Sequence, residues 1–258
     1  MFKNLVTLVT GGAAGLGRAT AERFVKKGSQ VVICDLPTSN GAEVAKNLGE
    51  NAFYVPADVT SEEQIQNLVD EISKKHGKLN VLVNCAGLCN AYVTYNFKTG
   101  KPRTLEDFQR VLMTNVLGTL NVTRLAAGLI ARNEPDENDL RGVVINTCGT
   151  EAFNAVSGQV ASAAAAGAIH SFTVPLAHDL GERGIRVVSI APGMFRTELI
   201  DQLPTETEEA ITSECILAPN RLGHPDEFAH VVQSIVTNPY INATTIEISA
   251  GLSLSMNP

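Results

Sequence analysis

The chain has no tryptophan, and of its four tyrosines only Tyr240 lies beyond Tyr95. It has no lysine after Lys101, although it runs to 258 residues. Its five cysteines, at 34, 85, 89, 148 and 215, make no Cys-x-x-Cys pair and no Cys/His cluster of zinc spacing. That count and spacing argue against a disulfide scaffold or a structural metal, so reduced thiols and no metal site are expected. Charged residues are sparse at 18%, while hydrophobic residues reach 44%, a balance that excludes intrinsic disorder. No apolar run reads as membrane-spanning and none reads as a secretory signal, so no membrane partner is expected. The net charge of −7 argues against direct nucleic-acid binding, which needs clustered basic residues. The charge is uneven: residues 1–101 balance at +2 and residues 102–258 at −9.

What is present is a regular alternation. Short apolar runs at 5–10, 31–34, 52–55, 81–84, 143–147, 185–191 and 245–248 read as seven strands. Helical stretches at 18–27, 41–48, 62–75, 104–132, 158–183 and 225–236 separate most of them, with a bend or break expected at Pro175. Ser61 and Gln64 read as a capping box. The strands are continuously apolar rather than alternating. They therefore predict a parallel sheet covered by helices on both faces, a single doubly wound α/β domain over 1–258 of the Rossmann-like kind. Two stretches break the rhythm. Residues 88–103 read as an inserted loop or hairpin, and residues 193–224, polar and helix-prone, as a lid over a substrate site.

Thr10-Gly11-Gly12-Ala13-Ala14-Gly15-Leu16-Gly17 joins the first strand to the first helix. Glycines there permit a tight turn and let backbone approach a pyrophosphate at a helix N-terminus. Asp35 ends the next strand, where a carboxylate can accept hydrogen bonds from an adenosine ribose. It would repel a ribose 2′-phosphate, so NAD is expected rather than NADP.

These residues resemble the short-chain dehydrogenase/reductase family over the whole chain. Asp58-Val59 resembles its adenine-contacting pair, Asn84-Cys85-Ala86-Gly87 its Asn-x-Ala-Gly turn, and Asn115 its helix asparagine. Pro192-Gly193 with Phe195 and Thr197 resembles its nicotinamide loop. The segments TYNFKTG, TLEDFQRVL and RLGHPDEFAHVVQ are similar to the branch that oxidises 3-hydroxyacyl-CoA and 17β-hydroxysteroids. The resemblance implies NAD(H) held by Gly11, Ala14, Gly15, Leu16, Gly17, Asp35 and the residues just named. It also implies a homotetramer, a mitochondrial location with a cytoplasmic one as the alternative, and a tRNA methyltransferase-type protein partner.

The same resemblance exposes a departure. The family uses a Ser, a Tyr and a Lys four residues later, the last two sharing a helix face. Those positions fall here on Gly149, Ser162 and Ala166. No shift of register restores the pair, because no Lys follows 101 and only Tyr240 follows 95. Thr147, Cys148, Thr150, Glu151 and His170 stand nearby as substitutes, with Cys148 expected to be a buried structural cysteine, Glu151 a solvated loop acid and His170 a helix–helix interface residue. The expectation is an NAD(H)-binding pseudoenzyme or scaffold of an oxidoreductase family. The alternatives are an NAD-dependent oxidoreductase with a non-standard acid/base, and a chain that has drifted from cofactor binding too.

Overall fold

A computed structural model describes residues 2–198, 200 and 205–254. The chain opens with β1 (Val6–Thr10), α1 (Gly15–Lys26), β2 (Gln30–Asp35), α2 (Gly41–Leu48), β3 (Ala52–Pro56), α3 (Glu62–His76) and β4 (Val81–Asn84). The insert at 88–103 carries a two-stranded antiparallel hairpin, β5 (Tyr95–Asn96) with β6 (Lys101–Pro102). Then come α4 (Leu105–Leu112), a π turn (Met113–Gly118), α5 (Thr119–Ile130), β7 (Gly142–Thr147), α6 (Val160–Gly181) and β8 (Ile185–Pro192). Finally, α7 (Thr205–Ala210) precedes α8 (Pro225–Thr237) and β9 (Thr244–Ile248).

Among the described residues, seven strands pair in the order β3-β2-β1-β4-β7-β8-β9, all in parallel. The apolar runs are continuous because each strand is buried on both sides. Leu8, Val32, Leu82, Val144 and Val187 face one layer, with Ile65, Leu68 and Ile72 of α3 and Val122 and Leu129 of α5. Val9, Ile33, Val83, Ile145 and Val188 face the other, with Phe24 of α1 and Phe228 and Val232 of α8. Polar bolts lock the sheet between these layers. Buried Asn84 donates to Asn146 Oδ1 (2.9 Å) and Thr123 Oγ1 (3.1 Å), joining β4 to β7 and α5.

Three expectations change. α6 runs unbroken through Pro175. A helix whose neighbours hold it tolerates the missing N–H, and Thr173 Oγ1 does part of the holding: it donates to Ile169 O and pairs with Ser189 Oγ of β8 at 2.6 Å. α6 is also long and apolar enough to cross a membrane, contrary to the expectation that no segment is. Here it packs along β8, with Ala161, Ala165, Ala166, Ile169 and Ala177 buried. Finally, the helix expected over 104–132 is divided by the π turn that contains Asn115. The lid segment is described except for residues 199 and 201–204, which lie outside the described residues.

Candidate functional site

The strand order reverses direction between β1 and β4, and the loops leaving their carboxyl ends form a crevice. The glycine turn fills one side of it. A Cβ on Gly11, which has φ +63°, would lie 2.8 Å from Ala86 N and from the Cys85 carbonyl carbon. One on Gly17 would collide with the Gly11 carbonyl. Gly11 is therefore demanded by the close approach of the turn to the β4 loop, and Gly17 by the close approach of α1 to the turn. Asp35 fastens the turn from β2: its Oδ2 accepts from Ala13 N (3.0 Å) and its Oδ1 from Leu36 N (2.8 Å).

An anion already sits at the α1 N-terminus. Glu198, from the segment after β8, accepts from Gly15 N–H at 3.1 Å. The N–H groups and the positive end of the helix thus hold a carboxylate oxygen where a phosphate oxygen would be held, so the site suits a pyrophosphate. Gly15, Arg18, Ala19, Arg196, Thr197 and Glu198 line a cleft of about 300 Å³ beside it. Thr197, expected in the nicotinamide loop, lies beside Gly15 at the helix N-terminus. Glu198 was not foreseen, because no local pattern indicates that its carboxylate reaches back across the fold to residue 15.

Several expected cofactor residues have their side chains engaged within the chain. Phe195 is buried, its ring packed edge-on against Phe228 in the core. Asn84 spends its amide inside the sheet. Asp58 Oδ1 accepts from Thr60 N and Thr60 Oγ1, both at 2.8 Å, which closes the turn into α3. Ala14 caps α1 in extended conformation and Leu16 packs into the core. Cys85 is enclosed beside Thr147 Oγ1 (3.5 Å), and burial pushes its thiol up to about 12. Val59 is buried against α3 and α5, whereas Ala86, Gly87, Pro192 and Gly193 line the loops at the strand ends.

Asn115 clasps the β4 loop. Its Oδ1 accepts from Leu88 N (2.8 Å) and its Nδ2 donates to Leu88 O (2.9 Å). Its own carbonyl accepts from Thr119 Oγ1 (2.7 Å). The asparagine therefore ties the π turn to the mouth of the crevice.

Past β7 the loop bends at Gly149, with φ +123° and ψ 152°, a conformation essentially reserved for glycine. Glu151 is not the solvated acid expected from sequence. Its side chain is half-buried and folds back, so that a Cβ on Gly149 would collide with its carboxyl. Burial raises the Glu151 pKa, and no basic group is among the influences on it. Burial foremost, then the Glu151 charge, pushes up the thiols of Cys89 and, to about 11, Cys148. Both thiols are protonated near neutral pH and are poor nucleophiles.

Ser162 and Ala166 lie one turn apart on the buried face of α6, 5% and 2% exposed. Among the described residues Ser162 Oγ has no hydrogen-bond partner, and the Cys89 thiol lies beside it outside hydrogen-bond geometry. His170 is exposed and lies at no helix–helix interface among the described residues: its ring meets Phe153 of the loop edge-on and its Nδ1 pairs with Thr245 Oγ1 of β9 (3.0 Å). This end of the crevice holds a carboxyl, two neutral thiols and small hydroxyls, with no phenol and no ammonium from α6. No His/Cys/Asp/Glu group among the described residues could hold a metal ion.

A family model described as short chain dehydrogenase matches residues 5–208. The chain is 48% identical over 252 residues to 3-hydroxyacyl-CoA dehydrogenase type-2 of Homo sapiens, covering 98% of this chain and 96% of that one. It is 47% identical over 254 residues to the Drosophila melanogaster protein of the same name, covering 98% and 99%. A crystal structure of 3-hydroxyacyl-CoA dehydrogenase type-2 from Mycobacterium avium superposes with a TM-score of 0.93 at 33% identity, covering 99% of this chain and 98% of that one.

Proposed function

The chain belongs to the short-chain dehydrogenase/reductase family, and from that premise we propose that it binds NAD(H) without the family's ordinary turnover, as a pseudoenzyme or scaffold. The observation that carries this reading is the occupancy of one site. Gly149, Ser162 and Ala166 stand where the family's Ser, Tyr and Lys are expected, on an otherwise intact β7 and α6. A bound nicotinamide would supply the hydride. The chain's own residues would bind and orient it: Asp35 the adenosine ribose, the α1 N-terminus the pyrophosphate, and the Pro192-Gly193 and Thr197 loop the nicotinamide. What is missing is a group to move the proton. A serine hydroxyl without an activating base does not replace a phenol whose pKa an ammonium lowers.

A second reading has one observation in its favour. The Glu151 carboxyl is turned into the site and its pKa is raised, as a general acid/base requires. On that reading the chain is an NAD-dependent oxidoreductase acting on a 3-hydroxyacyl-CoA or a hydroxysteroid.

NADH-dependent reduction of acetoacetyl-CoA separates the two. The Ser162→Tyr/Ala166→Lys variant is expected to exceed the unaltered chain by about 10²–10⁴-fold. An ordinary enzyme rate in the unaltered chain would sink the pseudoenzyme reading. Gly149→Ser belongs in a separate arm, because residue 149 holds a glycine-only backbone.

The family resemblance also carries a homotetramer, a mitochondrial location and a tRNA methyltransferase-type partner as proposals. Exposed apolar side chains along α4, the π turn and α6 support the assembly: Leu105, Leu112, Met113, Leu117, Val160 and Val174.

A further inference from the structure

Glu151 matters for binding even where no turnover occurs. A dinucleotide held by Asp35 at the end of β2 and by the α1 N-terminus must cross the switch point between β1 and β4. Its far ring then faces the carboxyl ends of β4, β7 and β8. The charge at that end comes from Glu151, folded back into the space beside Gly149. The Cys89 and Cys148 thiols within range of that charge are protonated near neutral pH, and the Ser162 hydroxyl lies beside Cys89.

The two redox forms of the cofactor differ at this ring alone. The oxidised nicotinamide carries a positive charge and the reduced one carries none. We infer that Glu151 makes this end of the crevice selective for the oxidised dinucleotide, NAD+, over NADH. The inference rests on the cofactor-binding reading above. It holds under either reading of turnover, because it concerns the free energy of the bound ring and not proton transfer.

The physics fixes the sign. A half-buried carboxylate with no cationic partner among the described residues gains from a pyridinium placed opposite it, and a neutral dihydropyridine offers no such gain. A charge pair several ångströms apart at an effective dielectric near 20 discriminates by up to about 100-fold. The cost of desolvating both charges brings the expected preference to about tenfold.

The test is calorimetric titration of the whole chain with NAD+ and with NADH, before and after Glu151→Gln. The unaltered chain should bind NAD+ more tightly than NADH. In the variant, NAD+ should weaken by about tenfold while NADH stays within about twofold. A preference for NADH in the unaltered chain overturns the inference without any variant. Equal changes for both forms, or no change in either, overturn it as well while leaving cofactor binding intact. Absence of binding for both forms overturns the cofactor reading and this inference together.

Discussion

The two sides of the crevice are built from the same kind of strand, yet they treat their tips differently. At β1 and β2 the groups facing the crevice are mostly backbone: the glycine turn, the α1 N–H groups and one carboxylate. At β7 and α6 they are side chains on a scaffold that tolerates their replacement. Gly11 and Gly17 are fixed by close backbone approaches, so what serves the cofactor also serves the packing. Ser162 and Ala166 are small residues on a helix that buries its alanines whether or not a reactive group sits among them. Chemistry carried on side-chain tips can therefore change while the fold stays. Binding carried by tightly packed backbone changes only with the fold.

The first way to break this comparison is to strike the backbone side. Gly17→Ala forces a methyl into the Gly11 carbonyl, and a loss of about 2–3 kcal/mol is expected in urea denaturation. A variant of unchanged stability would mean that the turn is held less tightly than this. The second strikes the other side. Gly149→Ala should cost about 1–2 kcal/mol from its left-handed backbone. Because the added methyl meets the Glu151 carboxyl, combining it with Glu151→Ala should cost less than the sum of the two, read as a double-mutant cycle.

The smallest effect sets the baseline outside both sides. At the start of α8, Arg221 pairs with both oxygens of Glu227 at 2.9 Å, and the His224 N–H donates to the same carboxylate. Arg221 first, then that N–H, hold the Glu227 pKa down at about 2. A depressed carboxylate stabilises the fold fully above its unfolded value of about 4.3 and loses that contribution as pH falls toward 2. Glu227→Gln should flatten the melting-temperature profile between pH 5 and pH 2.5 slightly, because the pair is solvent-exposed.

The sheet was legible in the sequence because continuous apolar runs leave few alternatives. Asp35 and the glycine turn were legible because their spacing follows from strand and helix lengths. Pro175 misled because its tolerance depends on β8, distant in sequence. The π turn at 113–118 has no marker in composition. Phe195 falls within a matched loop, but its ring is claimed by Phe228. Glu151 was read as solvated because its inward turn depends on the backbone at Gly149, and a φ of +123° cannot be read from a glycine in sequence.

That bend constrains how the chain can change. A serine at 149 meets a backbone at φ +123° that strains any side chain, and it needs the flexible end of Glu151 to swing aside. A smaller residue at 151 makes room but adds no hydroxyl. The backbone strain at 149 is the same in either order of substitution. A tyrosine at 162 and a lysine at 166 would enter buried positions of a helix that packs against the 150–152 turn, so helix and loop are bound to change in concert.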